Sequence, residues 1–118
     1  MTESIIGGAI EVHRVLGPGL LESVYEEYLA VELNLRKLKF ERQRPVLLEY
    51  KGHRVGVELR LDLLVENQVV VELKSIERLL PIHDAQLLTY LRLTTRSLGL
   101  IINFNVPLLK DGLRRLRL

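Results

Sequence analysis

Six residues constrain this chain more than any other stretch: Val69-Val70-Val71-Glu72-Leu73-Lys74. Side chains alternate between the two faces of a strand, so a run apolar on both faces must be covered on both. The run is too short for a helix and is bounded by the turn residues Asn67 and Gln68, so a central strand between two packed layers is expected. Two charges interrupt its end. Charged groups at the end of a covered strand are costly unless paired or bound to a metal.

The flanking segments supply the layers. Ile5, Ala9, Val12 and Leu16 recur at helical spacing and predict a helix from Glu3 to Leu16, ended by Gly17-Pro18-Gly19. A second helix is expected from Leu20 to Leu38, with Leu21, Val24, Tyr25, Tyr28 and Leu29 as its apolar stripe. Gln43 to Tyr50 reads as a strand, and Pro45 marks it as an edge or a strand start. After the turn Lys51-Gly52-His53, a long strand is expected from Arg54 to Glu66. Val55, Val57, Leu59, Leu61, Leu63 and Val65 alternate on one face of it, with Glu58, Arg60 and Asp62 on the other.

Beyond Lys74, Pro81 precedes a third helix from His83 to Arg96 that Gly99 ends. Leu100 to Phe104 reads as a buried strand, Asp111-Gly112 as a turn, and Leu113 to Leu118 as a final edge strand with its arginines in solvent. The order is helix, helix, three strands, helix, strand. Three strands form a meander and the third helix permits a crossover, so the fold class is α/β with a mixed sheet flanked by helices.

With 118 residues and 47% hydrophobic content, one domain over residues 1–118 with an ordinary core is expected. There is no cysteine, which excludes disulfides and thiolate metal sites and suits a reducing cytoplasm. No apolar run reaches the roughly 20 residues of a membrane helix, and no signal peptide is expected. The net charge of +2 diagnoses no partner. The basic run Lys110, Arg114, Arg115 and Arg117 reads as a solvated edge that discourages strand-to-strand aggregation.

The chemistry rests on Asp62, Glu72 and Lys74. Glu72 and Lys74 share a strand face, and Asp62 lies on the preceding strand. Their convergence depends on register. A two-residue turn at Asn67-Gln68 would pair Asp62 with Leu73 and put Glu72 on the wrong face, because directly paired residues share a face. An odd-length loop such as Asn67 to Val69, or a bulge near the site, is therefore required. Two carboxylates about 4 Å apart repel by roughly 4 kcal/mol at an effective dielectric near 20. A magnesium ion, which takes one or two carboxylates plus waters and phosphate, removes that repulsion. The Leu73 carbonyl is a further candidate ligand, and Lys74 is placed to orient a water or neutralise a phosphate. Taken alone, a Glu-x-Lys triplet is more often a surface ion pair.

The motifs form a set. Gly19-Leu20-Leu21-Glu22-Ser23-Val24-Tyr25 resembles the signature of the GxxExxY proteins, small bacterial and archaeal proteins of the PD-(D/E)XK nuclease superfamily. The resemblance continues through Tyr50-Lys51-Gly52, Asp62-Leu63-Leu64-Val65, Val71-Glu72-Leu73-Lys74, Ala85-Gln86-Leu87-Leu88-Thr89-Tyr90-Leu91 and Gly99-Leu100-Ile101-Ile102-Asn103-Phe104. It implies a restriction-endonuclease-like core: helix, three-stranded meander, helix, strand. It also implies a metal-dependent nuclease that cuts nucleic acid, DNA rather than RNA, with Mg2+ as cofactor and Mn2+ as a substitute. Asp62 falls on the metal-binding acid, and Glu72 and Lys74 on the acid-x-lysine motif. Glu22 falls on a helical glutamate that is often a metal ligand, and Gln86 and Tyr90 on the Gln-x-x-x-Tyr motif of the exonuclease-like branch. Leu61 stands where the superfamily's proline would be.

Each supporting residue also has a plainer reading. Glu22 near a helix start interacts favourably with the helix dipole. Gln86 and Tyr90, four apart, share the face of an ordinary amphipathic helix. His13 has no second histidine at ligand spacing, so zinc is not expected. Similar proteins often carry a histidine there, which gives it a possible place near the site. His53 and His83 read as turn and helix-start residues. The rival to a nuclease is a catalytically silent nucleic-acid- or protein-binding module on the same fold. A chain this short has little room to grip a duplex, so a homodimer or larger complex is a further expectation.

Overall fold

A computed structural model describes residues 1–118. The elements in order are α1 (Thr2–Leu16), α2 (Glu22–Leu35), β1 (Phe40–Val46), β2 (Glu49–Tyr50), β3 (His53–Arg54), β4 (Leu59–Val65), β5 (Val69–Lys74), α3 (Pro81–Thr94), β6 (Leu98–Asn103), a 3-10 turn (Leu109–Gly112) and β7 (Leu113–Arg117). Five strands make one sheet in the order β1-β4-β5-β6-β7. β1, β4 and β5 form the antiparallel meander. β6 lies parallel to β5 after the α3 crossover, and β7 returns antiparallel. This mixed sheet flanked by helices is the restriction-endonuclease-like arrangement.

β5 is the covered central strand the sequence demands. Its first five residues are all buried. Val69, Val71 and Leu73 pack toward α1 and α2 with Ile5, Tyr25, Leu29 and Phe104. Val70 packs the other way, with Leu61, Leu64, Leu87, Leu91 and Ile101 beneath α3. Pro45 does lie on an edge strand, where its missing N–H leaves no gap in the sheet.

The structure corrects several boundaries. The expected strand from Gln43 to Tyr50 ends at Val46, and the expected strand from Arg54 to Glu66 begins only at Leu59. Between them β2 and β3 form a separate two-stranded ribbon. The alternation from Val55 to Val65 is therefore not one face. Val55 and Val57 are exposed, and Leu61 packs under α3 while Leu63 and Val65 pack under α1 and α2. The side that the apolar residues face changes across Asp62.

The stripe assigned to α2 is also rotated. Leu21 and Tyr28 are exposed, whereas Tyr25, Glu26, Leu29, Ala30 and Leu33 are buried. Gly99 does not end α3. Thr95, in the left-handed conformation with φ 54°, does so, and Gly99 lies inside β6. A Cβ there would stand 2.9 Å from the Leu87 methyls, so the strand needs glycine to let α3 approach.

Gly112, in the turn before β7, meets a harder limit. A Cβ would lie 2.1 Å from the backbone oxygen of Asn103. Gly112→Ala must displace β6 or the turn, at about 1–3 kcal/mol. Urea unfolding of the two proteins checks this: the midpoint should fall with an unchanged slope, and an unaltered midpoint would refute it.

Candidate active site

The register is the one that brings the acids together. β4 and β5 pair as Leu63↔Val71, Leu64↔Val70 and Val65↔Val69, joined by the three-residue loop Glu66-Asn67-Gln68. The loop is odd in length, one residue earlier than the Asn67 to Val69 alternative. Glu66 and Asn67 take φ 52° and 57°, the left-handed turn that closes it. Continued by one step, the same register sets Asp62 opposite Glu72.

At that step the ladder stops. The backbone N–H of Asp62 donates to Glu72 Oε2 at 3.1 Å. The backbone N–H of Leu73 donates to Asp62 Oδ2 at 2.8 Å. Each carboxylate thus takes a hydrogen bond from the backbone of the other's strand. Glu72 is 6% exposed, and none of Glu22, Asp62, Glu72 or Lys74 belongs to any of the ion pairs.

The electrostatics follow from that geometry. Burial, reinforced by the charge of Asp62, raises Glu72 from 4.5 to about 8, against the opposing pull of the Asp62 N–H and of Lys74. Burial also raises Asp62, opposed by the Leu73 N–H and by Gln43, with Glu26 and Glu22 adding to the rise. Burial, then Glu72 and Asp62, raise Tyr90. Glu72 therefore keeps its proton up to about 8, and no cationic side chain is bonded to either acid.

The other expected residues are placed unevenly around this pair. Glu22 is exposed in the first turn of α2 and lines, with Ser23, Glu26, Gln43 and Leu73, the cavity holding Asp62. Tyr90 is half-buried under α3, within electrostatic reach of both acids. Gln86, one turn earlier, is exposed and lines a separate cavity with Lys74. Lys74 acts on Glu72 through its charge and not through a hydrogen bond. His13 lies elsewhere: its Nε2 is 2.7 Å from the Val106 carbonyl, and its ring stacks on Phe104 in the core. His83 does mark a helix start, with Nδ1 accepting from the Leu80 N–H.

Sequence reasoning missed three residues. Glu26 is buried beside Asp62, ion-paired to Arg42 at 3.0 Å and accepting from Gln43 Nε2 at 2.7 Å. Its spacing of four from Glu22 puts both on one helix face, the signal that could have found it. Gln43, at φ 49°, falls where β1 and β4 skip a pair opposite Asp62, and its amide reaches both Glu26 and Asp62 Oδ1. Asn103, 1% exposed, accepts from the Ile76 N–H and donates to the Ile76 carbonyl, pinning the chain just past Lys74.

The Gly19–Tyr25 segment has a mechanical explanation. Tyr25 is fully buried and stacked on Phe104 with centroids 4.3 Å apart. Its hydroxyl donates to the Gly17 carbonyl and accepts from the Leu20 N–H. The Ser75 hydroxyl donates to the Leu20 carbonyl. The loop before α2 is thereby tied to the end of β5, which fixes Glu22 next to the acid pair.

No three acidic or histidine side chains stand close enough to hold a metal unaided. Magnesium does not require it, since it takes one or two carboxylates and keeps several waters. Asp62, Glu72 and the Leu73 carbonyl are oxygen donors of the right kind, and each carboxylate has a second oxygen beyond the one bonded across the split. The donor set fits a hard dication.

Without a metal, the folded chain retains the Glu72 proton between 4.5 and about 8, where the unfolded chain has released it. Stability therefore falls as pH rises through that window, by at most about 1.4 kcal/mol per pH unit from this group. Glu72→Gln should flatten the slope. Urea midpoints measured across the window in chelator test it, and parallel slopes for the two proteins would rule the assignment out.

No helix is long and apolar enough to cross a membrane. A search of curated proteins and a search of solved structures returned no match. A family model for the PD-(D/E)XK nuclease superfamily matches residues 1–116. Members of that superfamily generally use divalent metal ions and act on nucleic acid. A match over nearly the whole chain, on a fold that sets Asp62 against Glu72-Leu73-Lys74, makes this chain a member of the PD-(D/E)XK nuclease superfamily.

Proposed function

We propose that the chain is a metal-dependent nuclease that hydrolyses phosphodiester bonds, with DNA rather than RNA as substrate. The observation that carries this is the split between β4 and β5. Two largely buried carboxylates are held there by backbone N–H groups and have no cationic side chain bonded to them. An arrangement that served stability alone would have an arginine or lysine in contact.

Asp62, Glu72 and the Leu73 carbonyl would hold magnesium, with manganese as a substitute and Glu22 reaching it directly or through water. Bound there, the ion supplies charge neutralisation at the phosphate and a water of lowered pKa. The chain's own groups do the rest. The N–H groups of Asp62 and Leu73 hold the carboxylates in place, so little reorganisation is needed. The Lys74 ammonium, on the same strand face as Glu72, orients the attacking water or meets charge on the pentavalent phosphate. Gln86, beside Lys74, bonds a phosphate oxygen, and Tyr90 bonds the carboxylate pair from the α3 side.

Nicking of supercoiled plasmid in magnesium tests the reading. Asp62→Ala, Glu72→Ala and Lys74→Ala should each lower the rate by about a hundredfold or more with unchanged circular dichroism. Lys74→Ala protein that nicks at the native rate would refute the mechanism. Magnesium uptake by titration without any nicking would instead make the chain a silent binding module.

A further inference from the structure

The β2–β3 ribbon has no part in the core. Residues 49–58 are all exposed, with Tyr50 66% exposed. The ribbon forms its own two-stranded sheet, anchored by Leu48, whose side chain packs at the edge of the α3-side core and whose carbonyl accepts from the Val55 N–H at 2.9 Å. An isolated two-stranded ribbon is marginal in water, so folding alone does not account for it. Its turn is nonetheless well made: Lys51 and Gly52 take φ 50° and 81°, the paired left-handed conformation that matches strand twist.

Its location is specific. The ribbon leads directly into β4, and Asp62 is the fourth residue of that strand. β5 runs antiparallel to β4, so Glu72 and Lys74 lie toward the ribbon end of the sheet. The chemistry of the tip is equally specific. The Lys51 ammonium stands 5.3 Å over the Tyr50 ring. Arg54 pairs in register with Glu49, but neither Lys51 nor Arg54 is in an ion pair. Of the ribbon's acids, Glu58 is held by Arg60, which leaves Lys51 and Arg54 facing Glu49 alone.

We propose that the β2–β3 ribbon grips duplex nucleic acid by entering a groove, with Lys51 and Arg54 on the phosphates and Tyr50 against the sugar-base wall. The proposal rests on the nuclease reading and names its substrate as double-stranded. A two-stranded ribbon fits the major groove, about 12 Å wide. Cations on both flanks of the tip are placed to meet the phosphates that line it. The exposed apolar residues Leu47, Val55 and Val57 at the ribbon root make a second copy of the chain the competing occupant. The unpaired cations at the tip favour a polyanion, since two copies would bring like charges together.

Binding is measured apart from cutting, on full-length Lys74→Ala protein, by fluorescence anisotropy with a labelled DNA duplex and with one of its strands. Lys51→Gln/Arg54→Gln should weaken duplex binding about tenfold and lower the slope of log affinity against log salt by about 1.8, the value for two phosphate contacts. Single-strand binding should change less. Tyr50→Ala, at an exposed position, should weaken duplex binding without altering the slope. Unchanged duplex affinity and slope would overturn the proposal. So would a loss confined to Arg115→Ala/Arg117→Ala, which would assign the contact to β7, or altered self-association with duplex binding intact. If native protein fails to nick plasmid while the ribbon variants still lose duplex binding, the nuclease reading falls and the gripping role stands.

Discussion

The site depends on a break in a ladder. In a regular antiparallel pair of this register, only one of the Asp62 and Leu73 N–H groups would point across the pair. Here both donate, to the Glu72 and Asp62 side chains. Buried N–H groups must be satisfied, and the two carboxylates satisfy them while being fixed by them. Backbone dipoles hold an anion without neutralising it. An arginine in the same position would have cancelled the charge. Without that cancellation, Glu72 holds its proton to about 8.

Such a split is tolerable only if the strands on either side of it are firmly held. β5 is buried on both faces, and the cores beneath α1 and α2 and beneath α3 meet along it. Beyond Lys74 the chain is pinned by Asn103, by the Phe104 N–H bonded to the Lys74 carbonyl, and by Ser75 bonded to the loop before α2. On the β1 side, Gln43 gives up regular strand geometry to bridge Glu26 and Asp62. A non-glycine residue held at positive φ costs of order 1 kcal/mol or more, and such strain collects where function needs a fixed geometry.

What the sequence disclosed and what it hid follow from the same physics. Val69 to Lys74 was legible because an apolar run covered on both faces has few other solutions, and the need for an odd loop followed from parity alone. The ribbon was hidden because period-two alternation continues from Val55 through Val65 while the chain leaves one sheet and joins another. Periodicity reports which face a residue occupies, not which sheet it belongs to. Glu26 was hidden because a buried glutamate contradicts the apolar-stripe rule. Its burial depends on Arg42 and Gln43, more than fifteen residues away in sequence, so its spacing of four from Glu22 is the one local hint. Gly99 read as a helix stop because glycine so often is one. Its tertiary reason, contact with Leu87, exists only once α3 lies on the sheet.

The distribution of charge completes the argument. A polyanion must approach a centre that is itself anionic, so the attraction has to come from elsewhere on the surface. Cations without acidic partners lie at the rim, among them Lys51 and Arg54 on the ribbon and Arg115 and Arg117 on β7, while Lys74 stands unpaired beside the acids. Around the acid pair, by contrast, arginines are already engaged, Arg42 with Glu26 and Glu27, Arg60 with Glu58. On the proposed nuclease reading, a dication at the site would reconcile attraction at the rim with repulsion at the centre by making the two carboxylates part of a phosphate-binding surface. On that reading, binding of the nucleic-acid backbone and binding of the metal would be coupled, each lowering the electrostatic cost of the other.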